Sequence, residues 1–386
     1  MLKKILNEIY YYLPLGFLLK PIILFESNPD FCDNSRGVYD RLIELGYNEK
    51  YKLVWFVLDK SKYNDINVKN VEFVDANDKN KMRYYQFFAK YIVDCNRYIY
   101  KRNKYQVRIH LTHGATIKYN KNYCSTCGKL DYVIQIGNYF TDYNKKFFSV
   151  STNQVISTGF PRDDILLEKN SQVFFPDIKR KKTICWFPTY RNHKSHSTGK
   201  TMLPYGIPSV NNEDELKKLD ACLKKEDILL VIKLHPAEDT SILRKLDLDH
   251  IKLVEDSIFD SDHSTVYHYL SNVDAVITDY SSLYYDFMLT KKPIGMAVSD
   301  IKDYIANNTL IFNVDNYESS LPGEYIYNFK DLLTFIHNVA IDNDISYNRR
   351  MEKMKIYHKY FDDKSADRVV ALMEKKGLKK WKKNLK

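Results

Sequence analysis

The chain alternates short apolar runs rich in β-branched residues with longer stretches of helical spacing, and this pattern restricts the possible folds most. In the first part, helices are predicted at 36–45, 82–89 and 139–148. Strands are predicted at 51–58, 71–74, 91–93, 107–111, 132–136 and 154–157. Alternating strands and helices fold into a parallel sheet with helices on both faces.

A polar, lysine-rich segment at 168–182 interrupts this pattern and is predicted to be a linker. The pattern then resumes with predicted strands at 183–187, 228–234, 251–254, 275–278 and 293–298. An α/β protein with two Rossmann-like domains is therefore expected, with ligands at the carboxyl ends of strands and in the cleft between domains. The predicted domains are 26–167 and 183–345, followed by C-terminal helices and a basic tail at 346–386.

Composition narrows the class of protein. No run approaches the roughly 20 apolar residues of a spanning helix, and six cysteines without a repeated spacing favour a reducing compartment. The net charge of +10 and the 32 tyrosines indicate an anionic partner, which could be nucleic acid, a membrane surface or a phosphate-bearing substrate. The chain lacks a glycine-rich dinucleotide fingerprint, which argues against a nicotinamide or flavin enzyme.

Both ends of the chain have features of membrane-associating segments. Residues 1–25 begin with apolar side chains at helical spacing beside lysines and tyrosines. The tail at 375–386 holds seven lysines around Trp381. Peripheral attachment to an anionic membrane is expected, although a terminal helix packed on the domain and a merely solvated tail remain alternatives.

Two predicted strands end in a histidine. Thr-His-Gly-Ala-Thr-Ile-Lys at 112–118 places His113 and Gly114 at the lip of the sheet, with Lys118 beyond them. A histidine there is suited to act as a general base on a hydroxyl. Lys233 and His235 alternate at the end of another strand, where a cation and an imidazole suit a phosphate. In each case a structural histidine at a turn is the alternative.

A third strand leads into a serine-rich helix start at 278–286. Helix capping needs one hydroxyl, so the extra polar groups favour a phosphate site. The candidate ligand-binding residues in this motif are Asp279, Tyr280, Ser281, Ser282 and Asp286. Proline-stiffened turns also deliver Arg162 and Arg191, whose planar guanidinium groups suit phosphate oxygens.

No metal-binding motif is recognised. Cys124-x-x-Cys127 has no second pair at zinc spacing and is interpreted as structural. Neither an HExxH nor a Walker motif occurs, and Asp-Asn-Asp at 342–344 lacks the strand context of a metal–nucleotide site.

Taken in order, five motifs resemble those of the CDP-glycerol glycerophosphotransferase family, which primes or polymerises teichoic acids and related alditol-phosphate polymers of bacterial envelopes. They are T-H-G-A-T-I-K, S-T-G-F-P-R-D-D, W-F-P-T-Y-R, K-L-H-P and I-T-D-Y-S-S. The resemblance begins near 24–27 with Asp33-Asn34, continues to 291–294 and includes 363–368. It implies a GT-B-like fold with an acceptor-side N-terminal domain and a nucleotide-binding C-terminal domain.

The resemblance also implies a reaction. A hydroxyl of a polyprenyl-diphosphate-linked acceptor would attack the β-phosphorus of CDP-glycerol or CDP-ribitol, and CMP would leave. His113 would be the general base, and His235 would bind the pyrophosphate and stabilise the departing CMP. Ser281 and Ser282 would hold the diphosphate, with Arg191 and Lys233 offsetting its charge. No obligatory metal or other cofactor is expected.

Two departures from the family pattern concern specificity. Thr112 and Thr116 replace a tryptophan and a proline around the His-Gly pair, which puts the acceptor in doubt, and Lys233 stands where arginine is frequent. The sequence leaves four questions open: whether the donor carries glycerol or ribitol, whether the enzyme is a primase or a polymerase, whether the polymer is wall teichoic acid or capsule, and whether the chain self-associates. A GT-B sugar-nucleotide glycosyltransferase is the rival activity. A nucleic-acid partner is not expected, because lysines alternate with acids throughout except at the tail.

Overall fold

The computed structural model describes residues 11–96, 99–115, 118–119, 129–189, 203–234, 241–259, 262–302, 304, 311–312 and 320–379. Within those residues, no helix combines the length and apolar character needed to cross a membrane. Contacts divide the chain into two compact units. The first unit comprises 1–115, 123–165 and 358–386, and the second comprises 116–122 and 166–357.

The regular elements of the described residues alternate along the chain as expected. The strands are β1 (Lys20–Glu26), β2 (Lys52–Val57), β3 (Val71–Asp75), β4 (Ala89–Asp94), β5 (Val107–His110), β6 (Lys118–Tyr119), β7 (Tyr132–Gln135), β8 (Val155–Ser157), β9 (Lys182–Phe187), β10 (Ile228–Ile232), β11 (Ile251–Leu253), β12 (Ala275–Thr278), β13 (Ile294–Ala297), β14 (Ile311–Phe312) and β15 (Glu324–Ile326).

The helices are α1 (Asp33–Glu44), α2 (Lys79–Phe88), α3 (Thr141–Phe148), α4 (Pro161–Leu167), α5 (Glu213–Glu226), α6 (Ser241–Lys245), α7 (Val266–Leu270), α8 (Leu283–Met288), α9 (Phe329–Ala340), α10 (Tyr347–Tyr357) and α11 (Ser365–Lys375). Short 3-10 turns lie between them at Gly16–Leu18, Tyr47–Glu49, Lys60–Tyr63, Asn138–Phe140, Thr152–Gln154 and Asp256–Phe259.

The first unit is built on a parallel sheet with the strand order β3-β2-β1-β4-β5-β7-β8. Strand β1 lies inside this sheet, between β2 and β4. The order reverses between β1 and β4, and open α/β sheets bind ligands beyond the carboxyl ends of strands near such a reversal. The loops that follow β1 and β5 reach this edge.

Residues 1–25 were expected to associate with a membrane, but the last part of this segment forms strand β1 of the sheet. Ile22, Ile23, Leu24 and Phe25 are almost completely buried in the sheet. A strand of a parallel sheet covered on both faces is a continuous apolar run without alternation. Such a run cannot be distinguished by periodicity from an apolar helix or anchor. Residues 22–25 therefore belong to the domain core.

The second unit repeats the architecture with the parallel order β11-β10-β9-β12-β13-β15. Strands β6 and β14 form a separate antiparallel pair in this unit. The helices α5 and α9 cover one face of the large sheet with a cluster of buried side chains that includes Leu216, Leu223, Leu332 and Ile336. The strand order reverses between β9 and β12, so the ends of these two strands mark the expected ligand edge.

The linker and the C-terminal region are arranged differently from the expected division of the chain. Residues 168–182 belong to the second unit, and the predicted C-terminal segment 346–386 is split between both units. Helix α10 stays in the second unit, whereas α11 returns to the first. There the Asp164 carboxylate accepts hydrogen bonds from the backbone N–H groups of Ser365 (2.9 Å) and Ala366 (2.7 Å). This cap fastens the start of α11 to the first unit.

Candidate active site

The His113 side chain projects from the end of β5 at the carboxyl edge of the first sheet. Leu111 and Thr112 are buried, but 63% of the His113 side chain is exposed. Thr112 has a φ of 57°, a left-handed conformation that is uncommon for a β-branched residue. The chain turns sharply at Thr112, and the imidazole is presented to solvent at the lip of the sheet, as the sequence predicted.

The imidazole of His113 is held by Asp33, the first residue of α1. The distance between His113 Nδ1 and Asp33 Oδ2 is 2.5 Å. The carboxylate is almost completely buried, with 4% of its side chain exposed. An ionised carboxylate at Nδ1 keeps the proton on that nitrogen, so Nε2 carries the free lone pair and can accept a proton.

Asp33 stays ionised because the Arg162 guanidinium and the His113 imidazole both face its carboxylate. Burial alone would raise the pKa of Asp33, but Arg162 and His113 outweigh it and lower the pKa to about 2. Arg162 Nη1 donates to Asp33 Oδ1 at 2.7 Å. The dyad of Asp33 and His113 is therefore charged on the aspartate side throughout the neutral pH range.

Arg162 does not lie where a phosphate could reach it, in contrast to its sequence interpretation as a phosphate-binding residue. Only 3% of the residue is exposed. The same Nη1 that binds Asp33 also donates to the backbone oxygen of His113 at 2.5 Å. Arg162 is thus a positioning residue, which fastens the carboxylate and the histidine backbone to each other.

Asn34 joins the three segments that meet at this site. Its Nδ2 donates to the backbone oxygen of Thr112 at 3.0 Å, and its Oδ1 accepts from the Arg162 N–H at 3.2 Å. Close contact between α1 and α4 is needed for this, and a Cβ on Gly37 would lie only 2.5 Å from the Pro161 carbonyl oxygen. Asp33 also has a left-handed φ of 59°. Unfavourable backbone conformations of this kind cluster at functional sites.

Strand β5 is anchored below His113 by a buried network of charges. Arg108 donates to Asp94 Oδ2 through Nη2 at 2.7 Å, and both side chains are 0% exposed. His110 Nδ1 lies 3.0 Å from the other oxygen of Asp94. Since Asp94 ends β4 and His110 ends β5, the network sets the relation of the two strands at the edge that carries His113.

We expect Asp33→Asn to lower the free energy of unfolding by an amount that depends on pH. The carboxylate pKa is depressed from 3.8 to about 2 in the folded chain, so its contribution is complete above about pH 4. The pH-dependent part amounts to about 2 kcal/mol and is lost as pH falls from 4 toward 2. Denaturant unfolding of wild type and variant at pH 7, 4 and 2.5 measures this; a difference that stays constant across the series contradicts the assignment.

In the second unit, Asp279 links the ends of the two strands at the reversal of strand order. The residue is fully buried directly after β12. Its carboxylate accepts from the Thr189 N–H at 2.9 Å, the Thr189 hydroxyl at 2.5 Å and the Tyr280 N–H at 2.6 Å. Thr189 follows β9, so Asp279 organises both loops at the predicted ligand edge.

Tyr280 and Asp286, predicted to bind substrate, are instead part of the core. Both are 0% exposed. The Tyr280 hydroxyl donates to Asp300 Oδ1 at 2.8 Å, and the Asp286 carboxylate accepts from the Tyr267 hydroxyl at 2.7 Å. Sequence could not separate these roles, because local spacing does not show which polar side chains after a strand the tertiary fold buries.

Ser281 and Ser282 are the half-buried members of this motif. The Ser281 hydroxyl oxygen accepts from the Leu283 N–H at 3.3 Å. Ser282 directly precedes α8, and its side chain makes no capping hydrogen bond. Lys233, at the end of β10, forms an ion pair with Asp256 at 2.8 Å. A ligand-binding role for the two serines stays a prediction, and a ligand at Lys233 would share its charge with Asp256.

Several predicted site residues cannot be placed. His235 and Arg191 lie outside the described residues, as do Thr116, Cys124 and Cys127, and the Lys118 side chain is likewise not described although its backbone is in β6. Gly114 follows His113 and is half-buried. Among the described side chains, no group of three or more His, Cys, Asp or Glu is arranged to hold a metal ion.

Two α/β units, each built on a parallel sheet whose strand order reverses once, are typical of proteins of the GT-B-like class. The chain belongs to the CDP-Glycerol:Poly(glycerophosphate) glycerophosphotransferase family, whose sequence model matches residues 10–375. Three predictions are thereby confirmed: the family, the GT-B-like α/β fold, and a glycerophosphotransferase enzyme that functions in teichoic acid synthesis.

Relatives from Bacillus support this assignment. A teichoic acid poly(glycerol phosphate) polymerase of Bacillus spizizenii is 27% identical over 355 residues, which cover 82% of this chain and 83% of the polymerase. A teichoic acid glycerol-phosphate primase of Bacillus subtilis is 30% identical over 236 residues. That match covers 60% of this chain but only about half (54%) of the primase. Ribitol-phosphate primases and polymerases also occur among the relatives.

The fold is similar to that of a solved structure of the wall teichoic acid polymerase TagF. The TM-score is 0.69 at 20% identity, with 93% of this chain and 90% of the TagF chain covered. At that identity the similarity supports the fold alone.

The sequence identified His113 but not its partner Asp33 as a site residue. The available signal was Asp33-Asn34 directly behind β1, in a loop that reaches the carboxyl edge of the sheet.

Proposed function

We propose that the enzyme transfers glycerol phosphate from CDP-glycerol to a terminal hydroxyl of a lipid-linked teichoic acid acceptor and releases CMP. The observation that carries this proposal is the dyad of Asp33 and His113. An exposed imidazole with a buried carboxylate at Nδ1 is a base directed at a hydroxyl. Family membership supplies the donor and acceptor classes.

In the proposed reaction the acceptor hydroxyl loses its proton to Nε2 of His113 as its oxygen attacks the β-phosphorus of the donor. The bond between that phosphorus and the bridging oxygen breaks, and the bridging oxygen leaves with CMP. Asp33 stabilises the imidazolium that forms, and Arg162 keeps Asp33 ionised. His113 then returns the proton to solvent or to the leaving phosphate.

The donor diphosphate is assigned to the second unit. Ser281 and Ser282 offer hydroxyl donors beside the strand reversal that Asp279 organises. His235, Arg191, Lys233 and Lys118 remain predictions from their motifs, with His235 proposed to stabilise the departing CMP. Positive charge on these side chains would offset the diphosphate charge without an obligatory metal ion.

The proposed place of action is the cytoplasmic face of the plasma membrane, where the enzyme is held peripherally. A polyprenyl-diphosphate-linked acceptor confines the substrate to that surface, and the chain carries a net charge of +10 toward anionic lipid. No nucleic-acid partner is proposed.

We expect purified enzyme to release CMP from CDP-glycerol, and to retain more than half of that activity in excess EDTA. The assay supplies CDP-glycerol and CDP-ribitol separately, each with a synthetic glycerol-phosphate or lipid-linked acceptor. Release from CDP-ribitol alone would replace the donor and favour the ribitol enzyme, which is the second candidate because ribitol-phosphate relatives exist. Loss of most activity in EDTA, restored by a divalent cation, contradicts the metal-independent mechanism. Silence with both donors would favour a sugar-nucleotide glycosyltransferase.

A further inference from the structure

Three segments of the first unit meet at the edge of the sheet opposite His113. They are residues 11–20, 82–90 and 99–106, which lead into the amino ends of β1, β4 and β5. We name the surface they form the amino-end face. These segments contain six cationic side chains and not one Asp or Glu, a composition that the chain otherwise shows in its lysine-rich tail at 375–386.

Direct contacts hold the three segments together. The backbone N–H of Lys104 donates to the backbone oxygen of Tyr11 at 3.0 Å. Asn103 Nδ2 donates to the backbone oxygen of Leu13 at 3.2 Å. Gly16 lies against Tyr105, since a Cβ there would be 2.9 Å from the tyrosine ring. The amino-end face is therefore one surface rather than three separate patches.

The end of α2 joins the same face from the other side. Lys20 Nζ donates to the Tyr84 hydroxyl at 2.6 Å, and Arg102 Nη2 donates to Gln86 Oε1 at 2.9 Å. Lys129 also approaches, with Nζ 3.7 Å from the centre of the Tyr11 ring. The contacts of Lys20 and Lys129 place cations directly beside aromatic rings.

Large apolar and aromatic side chains are exposed on this face. Phe17 is 80% exposed and Tyr12 is 60% exposed. The others, each between 38% and 45% exposed, are Leu13, Leu18, Tyr84, Tyr100 and Tyr105. A concentration of exposed apolar side chains rimmed by polar groups marks an interaction site.

The cations divide into neutralised and available groups. Lys101 is almost buried and pairs with Asp131 at 2.7 Å, so it adds no net charge to the surface. Lys20, Arg83 and Lys104 are exposed, and Lys90 and Arg102 are half-buried. The exposed surface thus presents positive charge around apolar tips.

We propose that the amino-end face docks on an anionic phospholipid bilayer. Leu13, Phe17 and Leu18 would enter the acyl boundary, the tyrosines would lie at the headgroup level, and the lysines and arginines would contact anionic headgroups. Docking there leaves His113 at the opposite, free edge of the same sheet. This inference rests on the proposed peripheral location at the membrane and makes it more specific. Vesicle binding is measured without turnover, so a failure to bind vesicles would not contradict the proposed transfer reaction.

The test is co-sedimentation of the full chain with vesicles of phosphatidylcholine, with and without 30% phosphatidylglycerol. We expect binding only to the anionic vesicles, and weaker binding at high salt. Two double variants are compared, Tyr12→Ser with Phe17→Ser and Arg83→Glu with Lys104→Glu. Each should weaken binding at least tenfold. The charge variant removes two cations, each of which accounts for about fivefold near an anionic surface, and the aromatic variant removes the two most exposed rings of the face from the membrane boundary. All four side chains are exposed, and unchanged thermal unfolding would show that both variants are folded.

Matched controls come from the second unit. Ile345→Ser with Ile356→Ser removes side chains that are 64% and 50% exposed, and Lys217→Glu with Lys224→Glu reverses exposed charges. Both controls should bind like wild type. Four outcomes overturn the proposal: equal binding to neutral vesicles, wild-type binding by both face variants, loss of binding only when residues 380–386 are deleted, and a face that binds soluble poly(glycerol phosphate) or nucleic acid but not vesicles.

Discussion

Replacing His113 with alanine is expected to lower the turnover number for CMP release by about 10²–10⁴, the usual contribution of a general base. The fold should be unaffected, because 63% of the side chain is exposed and Asp33 keeps its bond to Arg162. KM for the donor should change little, since the base acts on the acceptor hydroxyl. Steady-state kinetics with CDP-glycerol, together with circular dichroism, measure both expectations.

His337→Ala is the matched control for this variant. His337 lies on α9 in the second unit, is 55% exposed and pairs with Glu226. The substitution removes an exposed imidazole and its contact with a carboxylate without changing the proposed catalytic residues. Activity should therefore remain at the wild-type level. A His113→Ala enzyme within tenfold of wild type would contradict the role of His113 as the base.

Arg108→Leu is expected to destabilise the chain by about 3–5 kcal/mol. The substitution leaves Asp94 as a buried carboxylate without its guanidinium partner, and removal of one member of a buried ion pair has this cost. Both side chains are 0% exposed, so water cannot replace the lost interaction. Denaturant unfolding at pH 7 measures the change, and a shift in the transition midpoint is expected at an unchanged slope.

Arg41→Leu provides the comparison on the surface of the same unit. Arg41 pairs with Asp367 on α11 at 2.7 Å, but the two side chains are 35% and 40% exposed. Exposed ion pairs contribute at most about 1 kcal/mol, because solvent screens the attraction. Similar losses for Arg41→Leu and Arg108→Leu would show that burial does not set the strength of the β4–β5 network.

The predicted order of elements follows from local patterns and survived in the structure. The predicted strand at 275–278 coincides with β12, and the helix predicted at 36–45 overlaps α1. The sequence pattern reports such elements because apolar runs and helical spacing are local properties of the chain. It failed at β1, whose apolar run lies directly behind another apolar stretch at 15–19, and at the C-terminal region, where α11 returns to the first unit.

The candidate site divides in the same way. The sequence by itself determined the α/β class, the position of His113 behind a buried strand and the family, because each depends on residue types at short spacing. Only the tertiary structure decided that Asp33 supports His113, that Arg162 is buried behind it, and that Tyr280 and Asp286 are core residues. It also brought together the three segments of the amino-end face. The contacts among Asp33, His113 and Arg162 join residues 49 to 129 positions apart, and local spacing carries no information about contacts made at such separations.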